Sequence, residues 1–343
     1  MATTDVKPPE SPVTQVVAPT SRLRALFGNQ QFILLLVWIA MVIGFSLKSP
    51  IFFSQGVAAN ILLDWAPLVL VACGELIVVI SAGIDLSVGA VVGFSGVIGA
   101  YAMKSLHSSG QGTATTLAVG IVVCVVVGGL IGLINSLLIN YARLVPFIAT
   151  LVTLGAFSGL SLVLTKGAPI MGGPTDAITL VAPWLGPFSK PVVIVIVVVA
   201  IIWAFVHKAR FGRYTYAIGS NAFAARAAGI NVKRHLAKVY ILSGILAGLA
   251  GFFFYLRLNG GAPTSGQGME LDAIAAVVIG GAALAGGVGR VSGTVLGALI
   301  LTTVTSGLII IGVDPQWKRV VVAALIAIAA TIQAFRKTEG TAS

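Results

Sequence analysis

Residues 207–238 read HKARFGRYTYAIGSNAFAARAAGINVKRHLAK and separate two long apolar runs. This polar segment contains many Lys and Arg residues and no Asp or Glu. Membrane proteins keep such positively charged loops on the cytoplasmic side of the bilayer. The segment therefore predicts a membrane-spanning chain, and its cytoplasmic position sets the orientation of every apolar run around it.

The middle of the polar segment has the pattern of a short helix. Ser220 or Asn221 can cap its start, and Ala222 to Ala228 are good helix formers. Gly229 follows them, where a left-handed residue ends a helix. Helix nucleation is unfavourable in segments shorter than about 12 residues. We therefore expect a partner to hold this helix, and a basic connector with an incidental turn is the alternative.

Composition predicts an all-α integral membrane protein. Apolar residues make up 57% of the 343 residues and charged residues only 9%, whereas charged residues approach about 25% in soluble domains. The net charge of +11 comes from cations at the ends of apolar runs, which is the pattern of membrane topology. We therefore expect a lipid bilayer as the surroundings and no nucleic acid as a partner.

The two ends of the chain differ from the rest. Residues 1–30 are rich in Pro, Thr and Ser and predict a disordered cytoplasmic tail. A cleaved signal peptide is the rival interpretation, but the first apolar run begins too late and no small-residue cleavage site follows it. Residues 31–336 form the predicted transmembrane domain, with 207–238 as its cytoplasmic loop, and residues 337–343 form a C-terminal tail.

About ten apolar runs are predicted to span the membrane, which places both termini in the cytoplasm. A hydrocarbon core about 30 Å thick requires roughly 20 helical residues. The eighth run is shorter than this and predicts a re-entrant or broken helix that its neighbours bury. The runs are Phe32–Leu47, Trp65–Ile80, Leu86–Met103, Thr116–Leu138, Val145–Leu164, Pro191–Val206, Val239–Tyr255, Leu271–Ala285, Val295–Ile311 and Val320–Phe335.

Pairs of glycines four residues apart indicate which spans pack closely, because they let two helix backbones approach each other. We expect the spans that carry these pairs to form the centre of the bundle. The pairs are Gly89/Gly93, Gly128/Gly132, Gly155/Gly159, Gly244/Gly248 and Gly293/Gly297.

Acidic residues occur at two glycine-flanked stretches. The first, GIDLSVG at 83–89, predicts an interrupted helix in which Asp85 or Ser87 caps the helix that restarts. Direct contact of these two residues with a transported polar solute is the second interpretation. The second stretch, GMELD at 268–272, opens the short eighth run near the outer face and contains Glu270 and Asp272. Together the two stretches are compatible with a weak inverted repeat.

One further acid, Glu75, lies inside the second predicted span. An unpaired carboxylate there costs several kcal/mol or becomes neutral. A buried, hydrogen-bonded acid and a proton relay are the two interpretations, and the first is favoured.

Motifs for catalysis and nucleotide binding are missing from the sequence. It contains no G-x-x-x-x-G-K-[ST] motif, so the chain has no P-loop of its own. Its three histidines have no partners at metal-ligand spacing, and no nucleophile, base and acid combination occurs. We therefore expect neither a cofactor, a metal nor a catalytic site.

Three motifs in order resemble the permease subunits of bacterial ABC importers for ribose, xylose and related monosaccharides. They are GIDLSVGA at 83–90, GRYTYAIGSNAFAARAAGINV at 212–232 and ELDAIAAVVIGGAALAGGVG at 270–289. The resemblance implies a chain in the bacterial inner membrane that pairs with a second copy of itself or with a paralogue. It also implies a cytoplasmic ATPase that supplies the energy and a periplasmic binding protein that delivers the sugar.

The resemblance also assigns residues to a coupling helix that inserts into the ATPase. These residues are Gly219, Asn221, Ala224, Ala225, Arg226, Gly229 and Ile230. A secondary transporter or channel is the alternative class of protein. It would act without an ATPase and would couple through buried titratable groups such as Glu75 and Asp85.

Overall fold

A computed structural model describes residues 30–314, 316–324, 327 and 331. The predicted N-terminal and C-terminal tails lie outside these residues, apart from the first residue of the first helix. Helices make up most of the described chain. They are α1 (Gln30–Lys48), α2 (Gln55–Ile80), α3 (Val88–Ser108), α4 (Thr113–Asn140), α5 (Pro146–Thr165), α6 (Lys190–His207), α7 (Arg210–Ser220), α8 (Ala222–Ala227), α9 (Val232–Leu258), α10 (Met269–Ile279) and α11 (Val291–Ile310).

Short elements fill two of the connections. A 3₁₀ helix at Pro50–Phe53 joins α1 to α2, and another at Thr175–Val181 follows α5. A small hairpin of β1 (Pro183–Leu185) and β2 (Phe188–Ser189) then leads into α6.

Eight helices among the described residues are long and apolar enough to cross a membrane, namely α1 to α6, α9 and α11. They correspond to eight of the ten predicted spans. The eighth predicted run corresponds to α10, which has 11 residues, and this confirms the prediction of a short helix. For the last predicted span, residues 317–324 are helical, and most of the remainder lies outside the described residues.

The start of α2 differs from the sequence prediction by ten residues. The apolar run begins at Trp65, but the helix begins at Gln55, where the side chain of Ser54 accepts a bond from the Val57 N–H group. The extra turns carry polar residues, including Asp64, which pairs with Arg257 at the end of α9. An apolar run shows which part of a helix lies in the hydrocarbon core. It does not show how far the helix continues beyond that core in polar turns.

Glycine contacts hold α4 closely against α9, which is one of the most buried helices. A Cβ atom added to Gly128 would overlap the carbonyl oxygen of Gly244, and one added to Gly248 would overlap the carbonyl oxygen of Cys124. The prediction from glycine spacing is therefore correct for these helices. It is wrong for α5, where Gly155 has open space around it, because that helix lies on the outside of the bundle with few buried residues.

The segment before α10 runs back along α3. Gly261 lies against Gly96, the carbonyl of Pro263 against Gly93, and Gly266 against Gly89. The chain thus returns toward the first turn of α3 before α10 begins. This re-entrant path explains why α10 can be short, since its start is already inside the protein.

Candidate functional site

The short helix α8 forms as its sequence predicts. The Asn221 side chain accepts bonds from the N–H groups of Phe223 at 3.0 Å and Ala224 at 2.9 Å. Gly229 has φ of +83°, the left-handed conformation that ends helices. Asn221 is therefore the cap, and the Ser220 alternative is not adopted.

The residues of α8 face in two directions. Ala225 is only 5% exposed and packs with Ile218 and Val232 in a small apolar cluster. Ala224 and Arg226 are exposed. Ala225 thus anchors α8 to its own chain, and the exposed residues are the ones available to a partner.

Phe223 is the residue of α8 that the sequence analysis did not single out. Its side chain is 79% exposed, although it lies in a polar segment outside the apolar spans. Aromatic side chains are enriched among the residues that dominate binding energy at protein interfaces. The signal available in the sequence was a large aromatic residue within an otherwise small, alanine-rich helix.

Gly219 connects α7 with the transmembrane helices. A Cβ atom at this position would overlap the carbonyl oxygen of Ile80, the last residue of α2, and would crowd the nitrogen of Gly287. The Gly287 N–H group donates to that same Ile80 oxygen at 2.9 Å. Gly287 lies in the turn between α10 and α11, so three parts of the chain meet at one backbone contact.

Tyr216 adds a side-chain bond to this junction. Its hydroxyl donates to the carbonyl oxygen of Gly289 at 2.6 Å. Burial raises the pKa of Tyr216, and the nearby Arg290 lowers it by less. The hydroxyl therefore stays protonated at neutral pH and remains a donor.

Asp85 lies at the centre of a buried group of hydrogen bonds between α2 and α3. Its Oδ1 accepts from the Ser87 N–H group at 3.0 Å and from the Ser87 hydroxyl at 2.6 Å. Its Oδ2 accepts from the Ser243 hydroxyl at 3.1 Å. Its own N–H group donates to Glu75 Oε1 at 3.2 Å. Asp85 thus makes a capping-type bond, while the Ser87 side chain makes no cap bond and instead donates to Asp85.

The hydrogen bonds continue from Ser87 into two further helices. The Asn135 amide donates to the Ser87 hydroxyl oxygen at 2.7 Å, and the Thr153 hydroxyl donates to Asn135 Oδ1 at 2.6 Å. One chain of bonds therefore joins α2, α4, α5 and α9 with the loop before α3. We call this set the buried polar network, and its members are Glu75, Asp85, Ser87, Asn135, Thr153 and Ser243. Sequence reasoning missed Asn135, Thr153 and Ser243, because single polar residues within apolar spans do not reveal which helices they will meet.

Two buried oxygens beside the network have no hydrogen-bond partner among the described residues. They are Glu75 Oε2 and the hydroxyl of Tyr240. An unsatisfied buried polar atom costs about 1–3 kcal/mol. A cavity of about 210 Å³ reaches from Tyr240 and Gly83 to Ile218, Ala222 and Val232 near α8. This space lies between α8 and Tyr240, whose hydroxyl is beside the buried polar network.

The second acidic stretch divides between two environments. Glu270 lies beside Gly89 in the first turn of α3, and its Oε2 is buried without a described partner. Asp272 accepts a hydrogen bond from Lys318 at 2.7 Å in an ion pair. The re-entrant path thus brings Glu270 to the helix that Asp85 and Ser87 precede, whereas Asp272 is paired elsewhere. Neither residue has a hydrogen bond to the buried polar network.

Comparison with known proteins agrees with the resemblance seen in the sequence. The model of a family described as "Branched-chain amino acid transport system / permease component" matches residues 57–330. The ribose import permease protein RbsC of Escherichia coli (strain K12) is 38% identical over 312 residues, which cover 90% of this chain and 94% of that protein.

Two further relatives have comparable similarity. The ribose import permease protein RbsC of Bacillus subtilis (strain 168) is 40% identical over 292 residues, covering 84% of this chain and 88% of that protein. The galactose/methyl galactoside import permease protein MglC of Escherichia coli (strain K12) is 33% identical over 316 residues, covering 89% and 93%. No solved structure matches the chain.

Proposed function

The chain belongs to the family of branched-chain amino acid transport system permease components, and from this membership we propose that it is the transmembrane permease subunit of an ATP-binding-cassette importer for a monosaccharide. The observation that carries the proposal is similarity over most of the chain to import permeases named for ribose and for galactose. The eight apolar helices make it a multi-pass protein of the inner membrane. The sugar is proposed only as a class, because relatives named for different sugars match to similar extents.

We propose that α7 and α8 face the cytoplasm and form the docking surface for a separate ATPase. The positive charge of residues 207–238 supports this orientation. The absence of a P-loop from the sequence supports a partner that binds ATP. On this surface Phe223, Ala224 and Arg226 are exposed to the partner, while Asn221 and Gly229 fix the two ends of the helix and Ile230 and Ala225 hold it from behind.

Movement of α8 has a physical route into the spans. Gly219 lies about one helical turn after Tyr216 and against Ile80 and Gly287, so a displaced α7 must displace the end of α2 and the turn before α11. The end of α2 leads into the loop of the buried polar network, where Asp85 and Ser87 connect four helices. We propose that these two residues hold the network together during transport and that Glu270 and Asp272 position α10.

The other partners follow from the same proposal. A periplasmic binding protein would deliver the sugar, and a second copy of this chain or a paralogue would complete the translocation path.

The test is reconstitution of the chain with its ATPase and binding protein in liposomes. Ala224→Glu adds a charge to the exposed side of α8, where Glu remains a good helix former. Burying that charge at a protein interface is unfavourable, so we expect normal membrane insertion with loss of ATPase co-purification and of sugar uptake. Phe223→Ala should weaken the same binding by removing an aromatic anchor.

Ala114→Glu is the matched control, because Ala114 is also exposed on a helix and lies at the opposite end of α4 from the α8 side. It should preserve ATPase binding and uptake. Ala225→Glu differs in kind, since Ala225 is buried within its own chain, and it should lower thermal stability without any partner present. If the Ala224→Glu and Phe223→Ala variants both took up sugar at the wild-type rate, residues 207–238 would be only a basic connector. Sugar uptake by the chain without an ATPase would favour the secondary-transporter class.

A further inference from the structure

A second cavity lies at the joint between α6 and α7, beside the Tyr216–Gly289 hydrogen bond of the proposed coupling route. Its volume is about 330 Å³, and its lining includes Val206, His207, Arg213, Val288 and Arg290. The joint itself is tight, because a Cβ atom on Gly212 would overlap the carbonyl oxygen of Val206. The two arginines therefore approach one space from different segments, α7 and the start of α11.

The charges around this cavity are all positive. The sequence contains no Asp or Glu between Asp176 and Glu270, and none between Asp272 and Asp314. Neither Arg213 nor Arg290 forms a salt bridge with another described residue. Arg213 Nη1 donates to the Lys208 carbonyl oxygen at 3.2 Å, which holds the guanidinium beside the cavity. The site thus has one arginine held by a hydrogen bond and a second arginine from another segment, with no salt-bridged anion among the described residues.

The cavity also lies at the end of α6, a helix with an exposed apolar face. Ile194, Val197 and Ile201 on that helix are more than half exposed, which is the pattern of a face that contacts lipid. Near its end the His207 ring stacks on Trp203 with centroids 5.7 Å apart, and the Lys208 ammonium lies 5.8 Å from the Trp203 ring. Trp and Lys at a helix end mark the depth of lipid headgroups.

We propose that this cavity binds the phosphate of an anionic phospholipid headgroup. Arginine guanidinium groups match phosphate oxygens with paired hydrogen bonds, and basic pockets between transmembrane helices bind anionic headgroups. Val206 and the 57% exposed Val288 supply an apolar floor for the glycerol and first acyl carbons. A lipid is favoured over free phosphate because Trp203 and Lys208 place the cationic site at headgroup depth, at the end of a helix with an exposed apolar face. The bound headgroup would clamp α7 to the turn that precedes α11.

The test uses the full chain purified in a neutral detergent and stripped of lipid. Its melting temperature is measured with added phosphatidylglycerol, with phosphatidylcholine and with inorganic phosphate, and bound lipid is counted by native mass spectrometry. We expect phosphatidylglycerol to raise the melting temperature and to remain bound. Phosphatidylcholine and inorganic phosphate at the same concentration should do neither.

The double variant Arg213→Gln with Arg290→Gln should raise the phosphatidylglycerol concentration needed for half-maximal stabilisation about 25-fold, since each cation near the headgroup contributes a factor of about five. Arg234→Gln is the matched control, because Arg234 is exposed in the first turn of α9 and does not line the cavity. Without lipid, the variants should melt within a few degrees of the wild type.

Three results would overturn the proposal. Equal stabilisation by inorganic phosphate would make this a free-anion site. An unchanged lipid response in the double variant would place the lipid elsewhere. An unchanged lipid response together with lost ATPase binding would identify the occupant as an acidic surface of the partner protein. The melting temperature and the bound lipid are measured on the chain alone, without ATPase or sugar. Their outcome is therefore independent of the test of the proposed function.

Discussion

At the scale of single residues, the central feature is a carboxylate that is buried but not isolated. Asp85 accepts three hydrogen bonds, two from Ser87 and one from Ser243. A buried acid with this many donors is stabilised by the donors around it. These hydrogen bonds favour a structural role for Asp85, in which it supports the loop before α3, over direct contact with a transported solute.

Substitutions at Asp85 separate its hydrogen bonding from its charge. Asp85→Asn keeps an oxygen that can accept from Ser87, so it should retain most uptake and stability. Asp85→Ala removes every acceptor and leaves buried donors unsatisfied, and each unsatisfied donor costs about 1–3 kcal/mol. The melting temperature of this variant should therefore fall clearly below that of the Asp85→Asn variant. The measurements are thermal melting of the purified chain and uptake in the reconstituted importer. Loss of uptake by a stable, fully assembled Asn variant would instead assign the function to the charge.

Gly219 offers a second test at this scale. Gly219→Ala should push α7 away from Ile80 and Gly287, because the new Cβ atom overlaps the carbonyl oxygen at the end of α2. Overpacking of this kind costs about 1–3 kcal/mol. We expect reduced melting temperature and weaker coupling of ATP hydrolysis to uptake. Gly155→Ala, with open space around it in α5, should leave both unchanged, and equal behaviour of the two variants would contradict the close contact.

At the scale of elements, the sequence predicts where a helix begins and ends better than it predicts contacts between distant segments. The cap at Asn221 and the stop at Gly229 follow from residue types within one helix, and both are observed. The contact of Glu270 with Gly89 is different, since it depends on the re-entrant path of 259–268 between α9 and α10. The sequence predicts only that α10 starts near the outer face. Hydropathy cannot predict that the connection before α10 runs back along α3, because it measures the length of apolar runs and not the direction of the segments between them. The same limit applies to Asn135, whose partners come from other helices.

Glycine contacts between α4 and α9 give a prediction for whole elements. Gly128→Val should separate the two helices, because its side chain would occupy the position of the Gly244 carbonyl and the Gly248 backbone. We expect a large fall in melting temperature and poor recovery of folded protein. Gly159→Val is the control, since that glycine has open space around it in α5 and the substitution adds the same atoms. A similar loss in both variants would show that valine itself, and not the contact, is harmful.

At the scale of the whole molecule, composition and the three motifs are enough to predict a polytopic permease, and the family comparison confirms it. Apolar runs predict eight of the spans correctly, because burial in hydrocarbon requires length and low polarity together. The arrangement of those spans does not follow from their composition. All of them are strongly apolar, and α5 and α9 each carry a pair of glycines four residues apart, although one helix is peripheral and the other central. Particular polar contacts, such as those of Asp85, distinguish them only in the folded chain.

The division of labour between subunits gives a prediction for the complete importer. The purified chain should neither bind nor hydrolyse ATP, because it has no P-loop to hold phosphate and Mg²⁺. Addition of the ATPase should produce hydrolysis, and sugar-loaded binding protein should increase it in liposomes, since we propose that α8 transmits movement while it is docked. The measurements are nucleotide binding to the chain alone and phosphate release with each component added in turn. An Ala224→Glu chain is the control for docking, as it should leave hydrolysis at the level of the ATPase alone. Steady hydrolysis by the isolated wild-type chain, free of contaminating ATPase, would contradict the assignment of a permease subunit that depends on a separate motor.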